Sequence, residues 1–150
     1  WTMDASLNAP FKLGEQNLRY SGSWRWQYNR TPLTPQDRFS IGGRYTVRGF
    51  DGESTLMAER GWLLRNELGL MLGNSGQELY AGVDYGRVSG PSARWLLGDA
   101  LAGAVVGLRG GGFGWAPGLS YDVFVGTPIH KPQGFMAAST TAGFNLNWSF

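Results

Sequence analysis

Hydrophobic and polar residues alternate along most of this chain. Between residues 17 and 29, aromatic or aliphatic side chains occupy five of the six even positions, and polar side chains occupy every odd position. A period of two places successive side chains on opposite faces of a β-strand. The same split recurs along the chain, and we predict seven strands at residues 1–7, 17–29, 62–72, 78–86, 100–108, 113–125 and 144–150.

The length of these strands indicates the environment of the sheet. Most of them are about 9 to 14 residues long, whereas strands of soluble proteins average about 5 to 6. That length suits a tilted bilayer crossing, with the aromatic face toward lipid and the polar face toward a lumen. The pattern therefore predicts an all-β fold, a transmembrane antiparallel β-barrel. The alternative is a soluble β-sandwich whose core is the aromatic face, and the strand lengths weigh against it.

The number of strands predicts that more of the barrel exists. Bacterial single-chain barrels have an even number of strands from eight upward, and a lone seven-stranded sheet would leave two open edges in lipid. We therefore expect residues 1–150 to be the C-terminal portion of a larger barrel whose earlier strands lie outside this chain. Predicted short turns at 73–76 and 110–112 alternate with long links at 30–60, 88–98 and 127–138, as periplasmic turns alternate with external loops.

One link, residues 31–60, is too long for an ordinary hairpin loop, and such loops tend to be functional. Near its middle, Val47 and Phe50 flank one cation, Arg48, which is followed by Gly49. This composition is typical of a hairpin folded back into a pore, where the guanidinium would seek a carboxylate on the wall. Alternation turns Arg65 and three carboxylates toward the lumen, and the partner of Arg48 stays open among these carboxylates: Glu67, Glu78 and Asp84.

Composition narrows the possible chemistry. The chain has 24 Gly, 7 Trp, 6 Tyr, 8 Phe, no Cys and a formal net charge of +2. Without Cys there is no disulfide scaffold or Cys-based metal site, and the small charge does not suggest a nucleic-acid partner. His130 is the only histidine, so no two-His metal site can form within the chain and nothing fixes a catalytic triad. We expect no catalytic residues, no metal and no cofactor.

Several motifs resemble one family. The run VRGF at 47–50 follows Gly42-Gly43 and precedes a Gly-Trp pair and the strand RNEL at 65–68, and YAGVDYGRV and PIHKPQGF come later. Together they resemble the two-partner secretion transporters (the TpsB proteins), within the superfamily that also contains the BamA assembly protein. The resemblance is greatest to the group of filamentous haemagglutinin transporters.

The resemblance implies an architecture and a site. It implies a sixteen-stranded barrel with two periplasmic POTRA domains and an N-terminal plug helix. The POTRA domains, the plug helix and the earlier strands are not visible in this sequence. It also implies that the loop folds into the barrel and that Arg48 contacts Asp84, which stands in the D-x-G motif of its strand. Alternatively, the pair could have a purely structural role, fixing the loop to the barrel wall without taking part in transport.

The resemblance also implies a function and partners. The protein would be a pore in the outer membrane of a Gram-negative bacterium, surrounded by lipid, and would export a large exoprotein in unfolded form without ATP. Phe144, Trp148 and Phe150 resemble the C-terminal aromatic signal that the barrel assembly machinery reads. A BamA-like insertase is the alternative function, and a passive porin is a third class.

Overall fold

The computed structural model describes residues 1–43, 45–114 and 116–149. They form nine strands and two short 3-10 helices, Pro35–Asp37 and Pro91–Trp95. The strands are β1 Thr2–Leu13, β2 Gln16–Gln27, β3 Phe39–Ile41, β4 Leu56–Ala58, β5 Arg60–Met71, β6 Gln77–Ser89, β7 Ala100–Phe113, β8 Ala116–His130 and β9 Thr141–Trp148. No helix in this described part is long and apolar enough to span a membrane.

Seven of the strands form one antiparallel sheet in the order β1-β2-β5-β6-β7-β8-β9, and β3 and β4 form a separate small hairpin. The predicted all-β antiparallel fold is confirmed. Strands of the large sheet are 8 to 15 residues long, and short connections alternate with long ones as expected. The first strand, predicted only as a tail at residues 1–7, has 12 residues.

The turn predicted at residues 110–112 is wrong. Gly110 and Gly111 lie inside β7, where Gly110 pairs with Gln77 of β6 and with Tyr121 of β8. Gly weakens a strand but keeps both backbone hydrogen-bonding groups, so a run of Gly flanked by two strands can continue the ladder. The β7–β8 register is irregular at two places, between Ala102 and Gly103 and between Gly111 and Phe113, and the ladder is continuous through Gly110 and Gly111. The strand is therefore longer than predicted, and Arg109 lies well inside it.

The two faces of the sheet differ as the alternation predicts. Directly paired residues share a face, and one outer row is apolar on all seven strands: Phe11, Leu18, Leu70, Leu79, Leu108, Val123 and Phe144. Among the described residues, nothing covers outer side chains such as Phe144, which is 80% exposed, whereas the buried core lies on the inner face. A β-sandwich would bury the aromatic face instead, so the arrangement is that of a membrane barrel wall.

Candidate functional site

The long connection between β2 and β5, residues 28–59, folds back over the inner face of β5, β6 and β7. Its hydrophobic residues pack with wall residues and with Phe135 of the β8–β9 link. The buried cluster consists of Phe39, Ile41, Val47, Phe50, Leu56, Ala58, Leu63, Val88, Leu101 and Phe135. An apolar base therefore holds the loop at one end of the polar inner face.

Glycine lets the loop approach the wall. A Cβ atom on Gly103 of β7 would lie 2.0 Å from the carbonyl oxygen of Arg48, so any larger residue there would displace the loop. Gly49 has a φ of 101°, in the region that L side chains rarely adopt. A Cβ there would also lie 2.5 Å from the carbonyl oxygen of Thr127. Its neighbours Val47 and Phe50 are buried, so the VRGF segment is seated as a unit.

Arg48 projects from this seated segment onto β6. Its Nε donates to Asp84 Oδ2 at 2.8 Å and its Nη2 donates to Asp84 Oδ1 at 2.8 Å. The backbone N–H of Arg48 donates to Asp84 Oδ2 at 2.9 Å. This is a bidentate guanidinium–carboxylate pair with a third, backbone bond, and the Asp84 side chain has no exposed surface. Asp84 therefore binds both the side chain and the backbone of Arg48.

The pair belongs to a longer array, which we call the inner ion ladder. Arg48 and Arg109 both donate to Glu67, and Arg109 Nε donates to Glu78 Oε1 at 3.1 Å. Arg19 Nη2 lies 2.6 Å from Glu78 Oε2. At the other end, Arg65 Nε lies 3.6 Å from Asp84 Oδ2. The ladder thus runs in the order Arg19, Glu78, Arg109, Glu67, Arg48, Asp84 and Arg65.

The structure places the predicted residues in two groups. Of the VRGF segment, Arg48 contacts Asp84 and Glu67, and Arg65 lies beside Asp84. Val47 and Phe50 lie in the buried hydrophobic cluster, and Gly49 lies against Thr127. Glu78 contacts other arginines and not Arg48. The question of the carboxylate partner, left open by the alternation, has two answers, because Arg48 binds both Asp84 and Glu67.

The sequence reasoning missed Arg19 and Arg109 as members of the ladder. Arg19 stands on the predicted polar face, but nothing in the sequence pairs it with Glu78. The predicted strand ends at residue 108, one residue before Arg109. Because a turn was predicted at residues 110–112, the sequence did not place Arg109 on the inner face. Its guanidinium carbon also lies 4.5 Å from the centre of the Tyr80 ring, and the Tyr80 hydroxyl donates to Asp122 at 2.7 Å.

The C-terminal aromatic residues lie on the opposite face. In the edge strand β9, Phe144 pairs with Val123 and Trp148 pairs with Leu119, on the outer face. Both side chains are largely exposed. Phe150 lies outside the described residues.

Two carboxylates tie the loop to neighbouring external links. Glu59 is buried, and it accepts from the Ser92 backbone N–H at 3.0 Å and from the Ser92 hydroxyl. Burial opposes its ionisation, but the Ser92 hydrogen bonds and nearby Arg38 outweigh this and hold the pKa of Glu59 below its ordinary value. Asp51 accepts from the Ala138 backbone N–H at 2.9 Å, and that bond lowers the Asp51 pKa.

Among the described residues, no group of three or more His, Cys, Asp or Glu is placed to hold a metal ion. The ladder is a set of charge-assisted hydrogen bonds between arginine and carboxylate side chains.

Known proteins resemble this chain along its whole length. The family described as "Haemolysin secretion/activation protein ShlB/FhaC/HecB" matches residues 1–110. Outer membrane transporter CdiB-2 of Burkholderia pseudomallei is 45% identical over 148 residues, which are 99% of this chain and 25% of that protein. Outer membrane transporter CdiB of Dickeya dadantii is 30% identical over 156 residues, which are 100% of this chain and 26% of that protein.

A solved structure resembles the fold as well. CdiB from Acinetobacter baumannii superposes with a TM-score of 0.87 and 34% identity, over 100% of this chain and 27% of that chain. The sheet and its inward loop therefore have the fold of one part of that structure. The chain spans about a quarter of the length of the curated relatives it matches.

Proposed function

Because the chain belongs to the ShlB/FhaC/HecB family of haemolysin secretion/activation proteins, we propose that it contributes part of an outer-membrane pore that exports a partner exoprotein by two-partner secretion. The pore works without ATP, and the exoprotein passes through it unfolded and folds outside. The observation that carries this proposal is the position of the long loop against the inner wall. The tip of the loop lies on the inner wall and is held by Arg48 through contacts that can be reversed.

The architecture of the whole protein is part of the proposal. The described sheet has β1 and β9 at its two ends, and a strand edge in lipid must pair with another strand. We infer that residues 1–150 are the C-terminal portion of a sixteen-stranded barrel, and that earlier strands and two POTRA domains belong to the remainder of the protein. The relatives' greater length supports this division.

The named relatives support transport across the Gram-negative outer membrane over the other functions. Both curated relatives are called outer membrane transporters, which favours export over a BamA-like insertase or an enzyme. The inner wall fits an unfolded polypeptide, because polar side chains can exchange hydrogen bonds with a passing backbone. The apolar outer belt fits the lipid that surrounds the barrel.

Substitution of Arg48 by Ala tests this function in the full-length protein. We expect export of the partner exoprotein to be lost while the barrel still assembles, because the loop loses both guanidinium bonds to Asp84 and its bond to Glu67 and keeps only the backbone bond of residue 48. Secreted exoprotein is measured by immunoblot of the medium, and assembly by heat-modifiable migration in a gel. Arg25→Ala is the matched control, because Arg25 pairs with Asp4 on the same face in an exposed position. Export by Arg48→Ala at the wild-type level would overturn the proposal.

The C-terminal aromatic residues are proposed to engage the barrel assembly machinery. Phe144 and Trp148 are exposed on the outer face of an edge strand, where another protein can reach them. We expect Trp148→Ala or deletion of Phe150 to lower the amount of folded barrel in the membrane. Trp24→Ala, which removes an outer aromatic from β2, is the control. Equal amounts of folded barrel in all variants would contradict this role.

A further inference from the structure

Each buried carboxylate of the inner wall contacts an arginine of the wall itself. Glu67 contacts Arg109, and Glu78 contacts both Arg109 and Arg19. Asp84 has Arg65 at 3.6 Å. The carboxylates that bind Arg48 therefore each have a second arginine, which lies on the wall. Arg48 is the one member of the ladder that lies on the loop and would leave with it.

Asp84 is the carboxylate most affected by departure of the loop. Its side chain has no exposed surface, and its Oδ2 accepts from both the Nε and the backbone N–H of Arg48. Removing one partner of a buried ion pair leaves an uncompensated charge, which is strongly unfavourable. Without another cation nearby, that cost would keep the loop seated.

Arg65 is placed to supply the missing charge. Arg65 stands directly opposite Asp84 in the pairing of β5 with β6. Its Nε lies 3.6 Å from Asp84 Oδ2, the oxygen that also accepts hydrogen bonds from Arg48. Among the described residues, its ion pair with Asp84 is the one ion pair that Arg65 makes. Two guanidinium groups that share one carboxylate oxygen also repel each other. Arg65 therefore destabilises the seated state and compensates the vacated one.

We propose that Arg65 is a positioning residue that replaces Arg48 as the counter-ion of Asp84 when the loop leaves the wall. Arg65 thereby makes release of the loop reversible. The inference rests on the proposed function, in which the loop must move for the exoprotein to pass. Arg109 stands in the same relation to Glu67, but it also holds Glu78, so Arg65 offers the cleaner test.

The test follows exposure of Val47, which is fully buried while the loop is seated. Val47→Cys is introduced into the full-length protein without other cysteines; residues 1–150 contain none. Labelling by a membrane-impermeant maleimide is timed on intact cells. We expect Arg65→Gln and Arg65→Met to slow labelling by about fivefold. This change corresponds to a free energy like that of an ion pair at a protein surface. Arg65→Lys, which keeps the cation, should restore most of the rate.

Two further variants separate this role from general damage to the barrel. In an Asp84→Asn background, Arg65→Gln should have no additional effect, because the carboxylate through which Arg65 acts is gone. Arg25→Gln, which removes an inner arginine of β2, should leave the labelling rate unchanged. Heat-modifiable migration shows that each variant is assembled.

The outcomes distinguish the inference from the proposed function. Labelling of Arg65→Gln and Arg65→Met at the parent rate, or faster, would overturn the role of Arg65 and leave the export function intact. If the parent protein is never labelled during active export, the loop does not move, and the proposed opening fails together with the inference that rests on it.

Discussion

Two arginine–carboxylate pairs on the inner face have nearly the same geometry and different surroundings. Arg48 Nε lies 2.8 Å from Asp84, with side chains 12% and 0% exposed. Arg25 Nε lies 2.7 Å from Asp4, with side chains 61% and 66% exposed. Distance alone therefore does not distinguish a pair that holds the loop from one on an open surface. Burial beneath the loop makes the difference, because solvent screens the exposed pair.

The walls around these two pairs also differ. On β1 and β2, small polar residues face each other across the strands: Ser6 pairs with Ser23, and Asn8 pairs with Ser21. No inner position of those two strands is Gly. On β7, by contrast, Gly103 leaves the space that the Arg48 backbone fills. Side-chain volume therefore selects the wall on which the loop is seated.

The largest expected effect comes from filling that space. Gly103→Val places new carbon atoms where the carbonyl oxygen of Arg48 lies, so we expect the loop to lose its seat. Overpacking of this kind costs roughly 1–3 kcal/mol or more, and Val47→Cys labelling should accelerate by at least about tenfold.

Ala104→Val is the control for this prediction. Ala104 is the next residue of β7 and points to the outer face, where added methyl groups meet lipid. If Gly103→Val is labelled at the same rate as the Ala104→Val control, the space at Gly103 does not determine where the loop packs.

A pair of double-mutant cycles should give a smaller but measurable contrast. We expect the coupling energy between Arg48 and Asp84 to be about 3 kcal/mol, reduced if water enters the lumen. The coupling between Arg25 and Asp4 should be about 0.5 kcal/mol or less. Both are measured by urea unfolding of the barrel from lipid vesicles, with Ala at each position. Equal coupling energies would contradict the role given to burial.

The smallest expected effect is a pH dependence at the outer end of the loop. The pKa of Glu59 is lowered in the folded protein, so its contribution to stability is present above its ordinary value of 4.5 and is lost as pH falls through the lower, folded value. We expect acidification below about pH 4.5 to loosen the contact with Ser92, as measured by proteolysis of the external loops.

Glu59→Gln should weaken that contact already at neutral pH and abolish its pH dependence. Glu53→Gln, in the same loop at an exposed position, is the control. A Glu59→Gln protein that keeps the wild-type acid sensitivity would show that another group is responsible.

Much of the fold could be predicted from local patterns. Alternation predicted the seven antiparallel strands of the large sheet, and the loop with its motifs predicted the family, and both are confirmed. The hairpin of β3 and β4 was not predicted. The error at residues 110–112 arose because Gly is a turn signal and also a permitted strand residue. Only the ladders on both sides of β7 show which of the two applies.

Less of the site could be predicted. The resemblance implied a contact between Arg48 and Asp84, and the alternation put Glu67 and Glu78 on the same face. Neither Arg109 nor the placement of Arg65 opposite Asp84 follows from the sequence, because both depend on strand register. A shift of pairing by two residues would keep every side chain on its face and change every ion pair.

The sequence by itself determined which side chains face lipid and which face the lumen, because the period of a strand is a local property of the backbone. It also determined that one long loop carries a single cation between apolar residues. Only the tertiary structure decided that this cation binds Glu67 as well as Asp84 and which arginines lie beside them. Register aligns Arg65, Asp84 and Gly103 across three strands, and the loop closes over them to exclude water. The ion pairs depend on that closure, since desolvation comes from residues distant in the chain.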